Sequence, residues 1–158
     1  MTRGRITQQR NGGSDEAYET VHSLRAVTPS LAIDDRDWDE LNTILSSRYP
    51  FGSSGIDWSE VEALVETTLR SRSAVPEFVR AAIGILGLLP DERLLLIGDH
   101  VFNETLTLTV ADLAPCVTTL IGLPLGFIIG PSDGNWDWII DIRFAGAAWA
   151  GRAPEVIG

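Results

Sequence analysis

The sequence predicts an α+β fold in which N-terminal helices pack on a small, mostly antiparallel sheet built from the C-terminal half. Three observations predict it. Apolar residues in the first half recur at three- and four-residue spacing, and from about residue 93 the period falls to two. The Asp133-Gly134 pair then separates two apolar runs, as a hairpin turn does. The resulting order is four helices, two strands, one helix and two strands, which favours helices on one face of an antiparallel sheet.

The first helix is predicted over 14–27, with Ser14 as its cap and Asp15 and Glu16 at its positive end. Thr28, Pro29 and Ser30 break it. A second helix over 34–47 carries Trp38, Leu41 and Leu45 as its apolar stripe, and Tyr49-Pro50-Phe51-Gly52 opens the loop that ends it. A third helix is predicted from Asp57, which as N-cap has Glu60 three residues on, with Ile56 and Val61 placed as a hydrophobic staple. Ser59 with Glu62 offers a competing register. Val61, Leu64, Val65, Thr68 and Leu69 form the buried face of that helix. Pro76 suits the first turn of a fourth, whose run 78–89 is apolar nearly all round and reads as central, with Gly84 and Gly87 permitting close packing. Beyond it come a short strand at 94–97, a turn, and a half-buried strand at 104–109 in which Leu106 and Leu108 alternate with threonines. Asp112 caps a helix to about residue 121, with Pro115 in its first turn. Strands at 126–130 and 136–144 close the chain around the Asp-Gly loop.

Composition narrows the function classes. Residues 1–13 hold Arg3, Arg5 and Arg10 with no acid and read as a flexible basic arm; residues 14–158 read as a single domain, large enough to fold without disulfides or a structural metal. One cysteine, Cys116, gives no disulfide framework, so a cytoplasmic location is the expectation. Twelve arginines and no lysine face 22 acids, for a net charge of −10. Such a body repels nucleic acid and attracts basic proteins. The two histidines and the cysteine match no zinc spacing, so neither metal nor cofactor is expected. Residues 113–132 carry no charge, but Pro115, Pro124, several glycines and flanking acids read as a buried helix and strand, not a membrane span.

Two groups of acids are candidates for partner binding. Five acids crowd seven residues of the second helix, Asp34, Asp35, Asp37, Asp39 and Glu40. Acids in a first turn offset the helix dipole, which accounts for the first of them, whereas Asp39 and Glu40 lie further in. In the last hairpin a period of two sends Trp136, Trp138, Ile140, Ile142 and Phe144 to the core and Asp137, Ile139, Asp141 and Arg143 to a solvent or partner face. The candidate contacts are therefore Asp35, Asp37, Asp39, Glu40, Asp133, Asn135, Asp137 and Asp141. Four of the five tryptophans also adjoin an aspartate in sequence, as Trp38, Trp58, Trp136 and Trp138 do. In the second helix and the hairpin, ring and carboxylate are expected to separate, ring inward and acid outward. No catalytic set is legible. The one enzymatic alternative is a small-molecule pocket near His100 with its neighbour Asp99, and a third reading is pairing through an edge strand at 104–109.

The C-terminal half resembles a known group. The strand at 93–97, the strand at 104–109, the helix opened by Val110-Ala111-Asp112-Leu113, the strand at 126–130, then Asp133-Gly134-Asn135-Trp136 and a strand ending Phe144-Ala145-Gly146 are similar to the immunity proteins of contact-dependent growth inhibition and related polymorphic toxin systems. Asp133, Trp136 and Gly146 hold the places of that group's acid, tryptophan and closing glycine. The resemblance implies a cytosolic protein that binds one cognate toxin domain, often a basic nuclease, and blocks its active site or a neighbouring surface; the free chain is expected to be a monomer.

Overall fold

The structure is a computed structural model and describes residues 22–52, 55–71, 73–98, 105–120, 126–143 and 146–154. The basic arm, most of the first helix, Asp99, His100, Glu104, Phe144 and the side chain of Trp38 lie outside them. In chain order the elements are β1 (Ala32–Asp34), α1 (Trp38–Arg48), β2 (Phe51–Gly52), β3 (Gly55–Ile56), β4 (Ala63–Thr68), α2 (Ala74–Leu86), β5 (Arg93–Gly98), β6 (Thr105–Thr109), α3 (Leu113–Leu120), β7 (Phe127–Pro131), β8 (Trp138–Ile142) and β9 (Ala147–Arg152). Residues 22–27 are also helical.

The fold is α+β, and its sheet is antiparallel throughout the described residues. It is larger than expected, with seven strands in the order β1-β6-β5-β7-β8-β9-β4 and with both edges, β1 and β4, drawn from the first half. It is also covered on both faces, not one. On the first face α2, α3 and the helical residues 22–27 bring Leu24, Phe78, Val79 and Cys116 against Leu94, Leu96, Leu108 and Ile140. On the second, α1 and the small hairpin β2–β3 bring Leu41, Leu45, Tyr49 and Ile56 against Leu95, Ile97 and Ile139. This explains the unbroken run Leu94-Leu95-Leu96-Ile97: a strand buried on both sides has no polar face to alternate.

Four other expectations are corrected. The strand expected at 104–109, half-buried and able to pair as an edge, is β6, which lies between β1 and β5 with Thr105 and Thr107 buried. The helix expected from Asp57 is a single 3-10 turn, Trp58–Glu60, followed by strand β4. Asp57 does cap, accepting from the Ser59 amide at 3.1 Å, but Val65, Thr67 and Thr68 are β-branched, favour extended backbone, and pair with β9. The acidic helix starts at Trp38 with Asp37 as N-cap, so Asp34 and Asp35 precede it, and Asp39 and Glu40, expected further in, are its first-turn acids; Asp34 ends β1 and chelates Arg36 through two bonds of 2.9 Å. The fourth helix, α2, is not central. It lies on the sheet with one side open, Ile85 half-exposed, and Gly84 packs against nothing, while Gly87 ends the helix at a left-handed φ of 69°.

Candidate functional site

The acidic start of α1 meets the loop between β7 and β8, and the meeting is built from specific side chains. Gly134 turns the loop at φ 77°, its amide donating to the Pro131 carbonyl at 3.0 Å. A Cβ at that position would lie 3.0 Å from Leu41 and 3.1 Å from Arg36. Two residues on, Trp136 also adopts a positive φ of 56°. That twist carries its ring away from the face shared by Trp138 and Ile140 and into the second core, where it is fully buried beside Leu41 and Leu95. Its indole donates to the Leu41 carbonyl at 3.1 Å, and the Tyr49 hydroxyl donates to the Trp136 carbonyl at 2.8 Å. Burial pushes the Tyr49 hydroxyl pKa well above its ordinary value, so it stays a donor.

Two arginines complete the clamp. Arg36 donates to the Ser132 carbonyl, and Arg48 donates to the Asn135 carbonyl and pairs with Asp137 at 3.0 Å. The hydrogen bonds of Asp34, with Asp133 and Asp35 nearby, raise the Arg36 pKa against the opposing effect of its burial. Asp35, Asp37, Asp39, Glu40, Asp133 and Asp137 are exposed, and Asn135 is partly so. Seven of the eight candidate contacts thus lie on the start of α1 or on the β7–β8 segment that it meets. Asp37 spends its carboxylate on the Asp39 amide, at 2.9 Å, as a helix cap.

Asp141 is the exception and the main correction. It is only 4% exposed and lies inside the second face, so it presents nothing to a partner. One of its oxygens accepts from the Trp58 indole at 2.9 Å and from Arg143 at 3.0 and 3.3 Å. The strand register sets Asp141 opposite Trp149, and Trp149 opposite Glu66 on β4, whose carboxylate accepts the Trp149 indole N–H at 3.0 Å. Trp58 stacks on Trp149 with centroids 5.8 Å apart and planes 7° from parallel, and the Arg143 guanidinium lies 4.6 Å above the Trp149 ring. Gly151 makes this possible, since a Cβ there would sit 3.1 Å from the Trp58 ring. Beside the stack opens a groove of about 540 Å³, bounded by Gly52, Gly55, Asp57, Ser59 and Glu66.

The cluster leaves no signal along the chain because its pairs are made across strands. Trp149 is the one tryptophan without an aspartate beside it in sequence, yet it has an acid on each neighbouring strand. Asp57 flanks the groove, and hydrogen bonds from the Ser59 hydroxyl and then its amide hold that carboxyl below its usual pKa. Among the described residues no helix is long and apolar enough to cross a membrane, and no three His, Cys, Asp or Glu side chains are grouped to hold a metal. Asp99 and His100, the enzymatic alternative, lie outside those residues. No family model matches the chain, and no curated protein matches it either.

Proposed function

We propose that this chain is a cytosolic binding protein that holds a basic protein partner on its acidic face, and that the partner is the cognate toxin domain its C-terminal half implies. The observation that carries the reading is the convergence of two acid groups, about a hundred residues apart in sequence, on one exposed region braced by Arg36, Arg48 and Trp136. A pre-organised acidic surface of this kind speeds encounter with a basic protein and loses little entropy when it docks. With a net charge of −10 over the whole chain, the long-range field points the same way. Neutralisation follows from occupying the basic surface with which a nuclease grips its substrate.

The test is co-purification with the product of the adjacent upstream gene, followed by charge reversal. Asp37 is left intact because its cap holds α1. Asp39→Lys and Glu40→Lys together are expected to lower affinity about tenfold to a hundredfold, mostly through the association rate and less so at high salt, and, because both acids lie in the first turn of α1, to cost about 1–2 kcal/mol of stability while leaving the chain folded. Unchanged affinity would reduce this region to a solvated face, and a gene neighbourhood with no toxin would remove the partner.

A further inference from the structure

The groove beside Trp58 and Trp149 has a charge that its own side chains leave uncompensated. Arg143 is matched by Asp141 at 3.0 Å. Glu66 and Asp57 also face the groove, and among the described residues neither makes a salt bridge. An aromatic wall with two such carboxylates favours a cation, because the ring faces and the acids attract the same charge. The Arg143 guanidinium already lies over the Trp149 ring, 4.6 Å from its centroid, so a cation against indole is a contact this site supports. The volume, about 540 Å³, accommodates a long side chain with room for water.

We propose that this groove is a socket for an arginine side chain projecting from the bound protein, its guanidinium laid against the indole surface and its N–H groups directed at Glu66 and Asp57. Arginine is favoured over lysine because a planar guanidinium lies flat on a ring while its edge N–H groups donate to two carboxylates, whereas a tetrahedral ammonium has no flat face to stack. The socket rests on the reading of a basic protein partner and names the residue that partner inserts. The acidic face then governs encounter, and the aromatic socket contributes to residence, as buried anchors do at other interfaces.

The test titrates the full chain with an acetylated, amidated Gly-Arg-Gly peptide, with lysine and citrulline versions alongside, while indole N–H signals are followed by NMR. The arginine peptide is expected to shift the Trp58 and Trp149 signals saturably, the citrulline peptide to leave them in place, and Glu66→Gln to weaken the response about three- to tenfold. Glu66 is exposed and an amide retains an acceptor for Trp149, so this variant tests charge and not folding. An equal response to citrulline or lysine, no saturation, or an unaffected Glu66→Gln variant overturns the socket. Because the titration contains no partner, a failed search for the toxin leaves it standing. Conversely, a toxin that binds a chain silent to the peptide removes the socket alone.

Discussion

Replacing Asp141 by alanine tests whether this carboxylate is a structural bracket, as its burial indicates, or a contact residue, as its strand position suggested. The substitution removes the acceptor of three hydrogen bonds of 2.9, 3.0 and 3.3 Å. An orphaned donor such as the Trp58 indole costs about 1–3 kcal/mol when buried. Breaking a buried ion pair costs about 3–5 kcal/mol, but the Arg143 side chain is 25% exposed and keeps its bond of 2.7 Å to the Ile56 carbonyl, which lowers that figure. Together these give a loss of about 2–4 kcal/mol, or roughly 5–12 °C in melting temperature for a chain of this length. Urea denaturation followed by tryptophan fluorescence reads it, with an unchanged slope confirming that the folded state is intact. Asp141→Asn, which keeps one acceptor, is expected to lose about half as much. Pairing Asp141→Ala with Arg143→Met should cost less than the sum of the two single changes, because the guanidinium no longer lacks its anion. An Asp141→Ala protein within about 0.5 kcal/mol of wild type would refute the bracket.

Two further outcomes follow from the packing. Gly130→Ala places a Cβ against the Trp136 ring, which is fully buried and hydrogen-bonded, so a loss of about 2–4 kcal/mol is expected in the same denaturation assay; a neutral result would mean the ring is loosely held. Burial pushes the Cys116 thiol up to about 12, so the folded chain holds that proton more tightly than the unfolded one, whose thiol titrates at about 8.5. Its contribution to stability is therefore full below about pH 8.5 and is lost as pH climbs toward 12. At pH 8 a thiol reagent should label the protein only as fast as it unfolds, and rapid labelling of the native state would contradict the burial.

Much of the fold was legible because its signals are local. Strands β5 and β6 and the β7–β8 hairpin follow from short apolar runs, alternation and one Asp-Gly turn, and α1 and α2 from spacing and caps. Strand β4 was not legible, since Val61, Leu64, Val65, Thr68 and Leu69 fit a helix stripe as well as a strand, and the choice is made by hydrogen bonding to β9. Nor was β9 itself: Ala147, Ala148, Ala150 and Gly151 carry little strand preference, and the segment is extended because β8 and β4 flank it. For the candidate face, residue choice was readable but adjacency was not. The acids near residue 37 and near residue 135 are each visible alone, whereas their meeting depends on a positive φ at Trp136 that sends its ring to the opposite side of the sheet.

The aspartates and tryptophans illustrate the division. Composition and spacing alone determined an acidic, single-cysteine α+β chain with acids massed at the start of one helix and around one turn. Tertiary structure alone decided which of those acids face solvent. Asp141 alternates with isoleucines just as an outward residue does, and it would be solvated if the second face of the sheet were bare. That face is covered by α1, the β2–β3 hairpin and Trp58, so the same position becomes a buried acceptor for an indole and a guanidinium. A period of two specifies the side of a strand, but burial depends on what packs against that side, and in this protein the covering elements lie far away along the chain.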